Sequence, residues 1–378
     1  MIKKFSYLLF GVLFYCTFIN CNLDSGTNSN QEKIIYKDTL YDTVFTCPNT
    51  DSTAQKQKEP ISVSYTINIL GNPNKLLISK DGKKVYATNG SGLLEIGITE
   101  RKVLKNYSLP NASLGSNDIS IDGKLMSLSD FYSVYIANID SGMTFRNVIG
   151  GSAVYGSCIA NGTVYAPCFN DRIVRTYRLQ NGTQKEINPF AGSSTVATPH
   201  GISYTMDRNF VVAIDEGQKV LHIINTNNDS MLYQIPTGRT AKFTIPLNGD
   251  TIAAFCQNSN QILLINVKEP EAVPVIIKID SLEYVTDATY SISNNRMYII
   301  LAKSTYYQDN GPYESGQYSL PELLILDMKT RNILKRGMIS VNASNVYSFS
   351  IALTPDSNLL LITGSEAIYV IDVNTLKI

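Results

Sequence analysis

The feature that most constrains this chain is a hairpin phrase that returns along most of its length. In its clearest copy, Leu76 to Ile98, an apolar run (Leu76, Leu77, Ile78) leads into Asp81-Gly82. A second run (Val85, Tyr86, Ala87) follows, and a third (Leu93, Leu94, Ile96, Ile98) comes after a small polar loop. Asp-Gly between two short β-prone runs signals a hairpin, because the turn needs positive φ angles that Gly and Asx residues tolerate. Equivalent turns stand at Asp122-Gly123, Asn161-Gly162, Asp207-Arg208, Asn248-Gly249, Asn294-Asn295 and Asp356-Ser357, at intervals of 41, 39, 46, 41, 46 and 62 residues. A period of about 40–45 residues is that of one four-stranded propeller blade.

Each copy closes with third and fourth runs, except the last, which stops at IYVIDVNTLKI. The segment ISVSYTINILGNP at 61–73 reads as a fourth strand with no first three before it. Pairing the two in one blade closes a ring and removes the free sheet edge at the seam. The expected fold is all-β: a seven-bladed β-propeller over residues 61–378, with the N-terminal strand closing the last blade. Helical periodicity is hard to find outside the first 20 residues.

The phrase KDGKKVYATNGSGLLEIGITERKVLKNYSLP resembles the consensus of YVTN-type repeats, the surface-layer or YncE-like β-propeller family. The resemblance extends over residues 61–378 and is strongest in the first copy. Met206-Asp207-Arg208 and Ser293-Asn294-Asn295 depart from it, standing where the family usually has Pro-Asp-Gly.

Residues 1–20, with Lys3 and Lys4 before an apolar core, have the layout of a secretory signal peptide. Phe18-Ile19-Asn20-Cys21 resembles a bacterial lipoprotein cleavage box, which implies lipidation at Cys21 and membrane attachment through it; Asn20 departs from the usual small residue. Residues 21–60 are rich in Asn, Ser, Thr, Gln, Asp and Lys and read as a flexible polar tether, with 34–45 as a short candidate strand. The expected location is the bacterial cell envelope, facing the periplasm or the cell surface.

Lys+Arg and Asp+Glu balance at 32 each, so no general electrostatic attraction to nucleic acid is expected. Cys158 and Cys168 flank Asn161-Gly162, but a two-residue turn sets Cys158 opposite Tyr165 and leaves Cys168 out of bridging register. Free buried thiols are expected there. None of Cys47, Cys158, Cys168 and Cys256 has metal-ligand spacing, and with only His200 and His222 available neither a metal nor a cofactor is expected. Walker, dinucleotide, HExxH, GxSxG and calcium-loop patterns are missing, and the absence of Trp removes the docking pattern of quinoprotein blades.

In a propeller, the links from strand four to the next strand one, and from strand two to strand three, share the face that usually binds ligands. Candidates at the starts of inner strands are Tyr155, His200, Arg239 and Asp287. Those in the strand two-to-three links are Asp130, Phe131, Tyr132, Asp171, Arg172, Asp215 and Glu216. The 62-residue interval holds an insertion of the same kind, KSTYYQDNGPYESGQYSLPE at 303–322, bearing Tyr306, Tyr307, Tyr313 and Tyr318. Tyrosines present rigid amphipathic surface at low entropic cost, which suits protein or sugar contacts; packing over the blade rim is the other reading. His222, alternating inside a third strand, is expected to be structural.

TVYAPCFNDRIVRTYRL and Pro199-His200-Gly201 are also similar to segments of the lactonase family of propellers. That resemblance implies a channel-mouth site with His200, Arg172 and nearby charges, but Val154-Tyr155 stands where the family has its first Pro-His pair. The leading expectation is a monomeric, non-catalytic module binding an envelope protein or glycan. The alternatives are a lactonase-like hydrolase with His200 and Arg239 as catalytic groups, and a structural envelope protein.

Overall fold

The computed structural model describes residues 44–46, 60–89, 92–109, 117–188, 199–256, 259–280, 285–302, 321–341, 349–376 and 378; residues 44–46 and His200 are described by backbone alone. The expected signal segment, Cys21, most of the tether, Cys47 and the four insertion tyrosines lie outside the described residues.

The repeat unit is an antiparallel meander of four short strands. The first comprises β3 (Lys75–Ile78), β4 (Lys84–Thr88), β5 (Gly92–Gly97) and β6 (Lys102–Ser108). The second is β7 (Asp118–Ile119), β8 (Leu125–Ser129), β9 (Phe131–Asn138) and β10 (Phe145–Val154). The third is β11 (Cys158–Ala160), β12 (Thr163–Cys168), β13 (Ile173–Arg178) and β14 (Gln184–Ile187), joined to the second by one pairing, Val154 with Cys168.

Next come β15 (Pro199–Tyr204), β16 (Phe210–Asp215), β17 (Val220–Asn225) and β18 (Ser230–Pro236). They are followed by β19 (Ala241–Pro246), β20 (Thr251–Cys256), β21 (Gln261–Asn266) and β22 (Val275–Lys278). Then come β23 (Val285–Ser291), β24 (Arg296–Leu301), β25 (Glu322–Asp327) and β26 (Ile333–Met338). The final meander has β27 (Ile351–Leu353), β28 (Leu359–Gly364) and β29 (Ala367–Asp372) from the C-terminal end, and β2 (Tyr65–Asn68) from the other.

β2 pairs antiparallel with β29, Tyr65 against Val370 through Asn68 against Ala367. Within the stretch read as a tether, β1 (Val44–Thr46) adds in parallel to β22, Val44 against Ile276. A 3-10 turn at Val373–Thr375 is the only helix among the described residues.

Six of the seven turns joining first to second strands share one backbone conformation, the exception being Asn161-Gly162, where both residues have positive φ. Gly82, Gly123, Arg208, Gly249, Asn295 and Ser357 all have φ between 52° and 78°, so the non-glycine copies keep the left-handed turn that the Asp-Gly copies use. In four of them a hydroxyl two residues before an aspartate donates to its carboxylate: Ser79 to Asp81 at 2.6 Å, Ser120 to Asp122 at 2.5 Å, Thr205 to Asp207 at 2.7 Å and Thr354 to Asp356 at 2.5 Å. Each aspartate also accepts a backbone N–H from two residues on. Turn and side chain are thereby locked together.

The core lies between meanders, because middle strands buried on both faces must be covered on both. Tyr86 and Leu93 pack on Met126 and Leu128; Val134 and Ile149 pack on Ile159 and Val164. The series runs on to Leu361 and Val370, which pack on Val85 and Ile96, so the last meander also covers the first. Outer strands carry bulges at Leu104, Leu232 and Leu334, each left over between paired neighbours. Bulges twist an exposed edge away from further pairing, and they account for Leu104 and Leu232 being exposed.

Candidate functional site

In an antiparallel meander the one-to-two and three-to-four turns lie at one end, and the two-to-three and four-to-one links at the other. The first strands line the inside of the array, so a side chain's height along a first strand decides which end it serves.

Two carboxylates inside this lining are closed off by their own neighbours. Asp118 in β7 is gripped by Arg208, whose guanidinium donates at 2.5 Å and 3.0 Å to its two oxygens and also reaches the Ile119 carbonyl at 2.7 Å and the Ile159 carbonyl. Tyr204 donates to Asp118 at 3.0 Å and the Ile159 N–H at 2.9 Å. The Arg208 guanidinium lies 4.0 Å from the Tyr204 ring centre. The group is almost dry, with Arg208 and Asp118 side chains 9% and 7% exposed. Burial, then the Asp118 charge, pushes the Tyr204 hydroxyl up; burial opposes the Arg208 charge most strongly, but Asp118, Tyr204 and Cys158 together more than offset it and raise the pKa. This clamp ties together β7, β11 and β15 and was not anticipated from sequence, where Arg208 stood only as a departure from the turn consensus.

Asp287 in β23 forms the counterpart. Its Oδ2 accepts from Lys75 Nζ at 2.7 Å, Ser350 Oγ at 2.7 Å and the Ile351 N–H at 3.1 Å, linking β23, β3 and β27.

The link end carries a different surface. The Phe131 ring makes edge contacts with Tyr132 at 5.2 Å and Tyr155 at 5.4 Å, and Tyr155 does the same with Phe169 at 5.6 Å. Phe131 and Tyr132 open β9 directly after its one-residue link from β8 at Asp130, Tyr155 lies in the β10–β11 link and Phe169 in the β12–β13 link, so three separate connections build one aromatic row. Phe131 is 38% and Tyr132 60% exposed. Phe131 also sits at φ 74°, a region that a bulky residue enters at a cost of about 1–3 kcal/mol. Asp130 holds it there: Oδ1 accepts the N–H groups of Tyr132 at 3.0 Å and Ser133 at 2.6 Å, and Oδ2 accepts from the Tyr135 hydroxyl at 3.0 Å. Sequence reasoning singled out Phe131, Tyr132 and Tyr155 separately; Phe169, beside the charged Asp171 and Arg172, was missed.

The remaining candidates disperse. Arg172 is exposed at φ 57°, its N–H bonded to the Phe169 carbonyl at 3.2 Å. Asp171 pairs with Arg175 at 3.2 Å. Arg239 is exposed in the β18–β19 link. His200 lies at a bulge of β15, between Pro199 and Gly201. Asp215 is fully buried, 3.3 Å from His222 Nε2, and Glu216 is half-buried in the β16–β17 link. Cys158 pairs with Tyr165, and Cys158, Cys168 and Cys256 are free buried thiols; burial pushes Cys168 up to about 11 and Cys256 up to about 12. No group of His, Cys, Asp and Glu among the described residues has the makings of a metal site.

No protein-family model matches the chain, and no curated protein matches it in sequence. Solved structures do. The β-propeller domain of Cps50 (Swd1) from Myceliophteria thermophila superposes with a TM-score of 0.63 at 15% identity, over 82% of this chain and 99% of that one. Hydrazine synthase from Kuenenia stuttgartiensis gives a TM-score of 0.62 at 13% identity, over 85% of this chain and 99% of that one. At such identities the likeness concerns architecture alone, and with the meanders described above it makes this chain a β-propeller.

Proposed function

We propose that the protein is an exported, lipid-anchored, seven-bladed propeller of YVTN type that binds a protein or glycan of the bacterial envelope and performs no chemistry. The observation that carries this reading is the row Phe131, Tyr132, Tyr155 and Phe169. Four aromatics gathered at three connections, Phe131 and Tyr132 exposed and Tyr155 and Phe169 half-buried behind them, with a strained backbone at Phe131, are more than chain connection requires, and outliers of this kind cluster at functional sites. The insertion at 303–322 joins β24 to β25, so it leaves the array at the same end as the row. Rigid strands hold these links in place, which lets several weak contacts add without ordering a flexible surface. The blade count is supported by the meander grouping and by packing of the last meander on the first. Export and anchoring are supported by Lys3, Lys4 and the Cys21 box.

The test is retention of envelope proteins and glycan fragments on the immobilised full chain. The comparison is with a Phe131→Gly/Tyr132→Ala double variant and a variant with Tyr306, Tyr307, Tyr313 and Tyr318 all changed to Ala. A component held by the parent and released by the first variant supports the aromatic row; release by the second adds the insertion. Retention unchanged in both sinks the reading. Lactone turnover lost in His200→Ala would transfer the function to the hydrolase alternative.

A further inference from the structure

The first strands share a second irregularity. In three successive meanders their pairing with the second strand skips one residue at the same height: between Pro199 and Gly201, between Ala241 and Phe243, and between Val285 and Asp287. The extra residues are His200, Lys242 and Thr286. A bulge re-aims a side chain, and bulges are over-represented beside active sites. Three successive first strands thus carry one extra residue each at the same level, at the link end of the lining.

Lys242 shows what this redirection achieves. Its ammonium crosses to the next first strand and donates to the Val285 carbonyl at 2.6 Å, with no ion pair to any carboxylate among the described residues. The residue is open to solvent at the mouth. Burial nevertheless lowers its pKa from the ordinary lysine value, with Asp287 opposing the shift. Asp287 is already occupied by Lys75, Ser350 and the Ile351 N–H, so Lys242 is a second cation beside a carboxylate that one cation has answered. Arg239, exposed three residues earlier, adds a third positive charge, close enough to lower the pKa of Cys256 against its burial. Glu216 and Lys219 in the neighbouring β16–β17 link cancel formally; the Glu216 carbonyl accepts from Thr240 Oγ1 at 3.5 Å. Among these groups Lys75 is paired with Asp287, whereas Lys242 and Arg239 have no ion pair among the described residues.

We propose that this mouth is an oxyanion site, where Lys242 takes a carboxylate or phosphate group of the ligand, with Arg239 and Lys75 adding positive charge at the same end of the lining. The proposal rests on the binding reading above and supplies the ligand's chemistry. A neutral carbonyl is a weak partner for a partly desolvated ammonium. An oxyanion replaces it with a charge-assisted hydrogen bond, roughly twice as strong as a neutral one.

The experiment titrates the full chain, in neutral detergent, with inorganic phosphate and separately with D-glucuronate, following binding by calorimetry and phosphate by 31P line broadening. Lys242→Met should weaken binding at least tenfold and Lys242→Arg should restore most of it. Lys102→Met, on exposed β6, should leave binding unchanged. Tighter phosphate binding identifies a phosphate-bearing ligand, and tighter glucuronate binding an acidic sugar. The proposal is overturned if the parent binds neither probe, if Lys242→Met binds as the parent does, or if Lys102→Met weakens binding equally. Envelope capture depends on the aromatic row and anion titration on Lys242, so failure of one is distinguishable from failure of the other.

Discussion

Arg208 occupies a turn position where the backbone favours glycine, at φ 59°, which costs a non-glycine residue about 1–2 kcal/mol. Its guanidinium is what the Asp118 carboxylate requires, since a buried charge stripped of its partner costs about 3–5 kcal/mol. Arg208→Gly therefore relieves strain and still loses stability, by about 1–4 kcal/mol net, read from urea unfolding at neutral pH. A glycine variant as stable as the parent would show that the clamp contributes nothing. Adding Asp118→Asn should recover part of the loss, because the orphaned charge is then gone. From one sequence Arg208 is legible only as an oddity in a turn. Its partner lies 90 positions away, and nothing in a single chain gives the relative heights of two first strands. Phe131, Tyr132 and Tyr155 were within reach because topology alone sends their links to one end. Phe169 was not, since ring-to-ring contact depends on how far each link leans.

At the scale of the element, the repeated turn was the most legible part of the chain, and its chemistry explains why. Asp81, Asp122 and Asp356 are held below the usual carboxylate range first by the hydroxyl two residues earlier; at Asp207 burial pushes up, but the N–H and hydroxyl donors prevail. The sign follows from these lowered values. The caps contribute in full above the unfolded Asp pKa of about 3.9, and the contribution disappears as pH falls through the folded values. A chain carrying Asp→Asn at 81, 122, 207 and 356 should be less stable at pH 7 and show a shallower fall in melting temperature between pH 5 and pH 2.5. Identical acid limbs for parent and variant would remove the caps from the account of acid sensitivity. Less legible were the bulges, because a skipped pairing changes neither the alternation nor the turn residues that a sequence displays. The β1 strand was legible only in part: Val44 and Phe45 end the 34–45 candidate strand, but nothing in a polar stretch signals the parallel pairing with β22.

For the whole molecule, closure by β2 was readable because an orphan fourth strand and a meander one strand short stood at opposite ends of the chain. Deleting residues 61–69 removes the buried Ile61, Ile67 and Ile69 and opens the β29 edge. The expected result is a markedly lower melting temperature and association that grows with protein concentration, measured by scanning calorimetry and sedimentation. A deletion variant that stays monomeric and melts with the parent would mean that the seam is dispensable. The same pairing has a consequence in time. Tyr65 and Val370 are partners separated by 305 positions (370 minus 65). At about 5–20 residues per second of synthesis, Tyr65 waits roughly 15–60 s before Val370 has been made. Ile67 and Ile69 must therefore pass that interval uncovered or in the care of another protein, and the earliest strand of the ring to be synthesised is among the last to find its place.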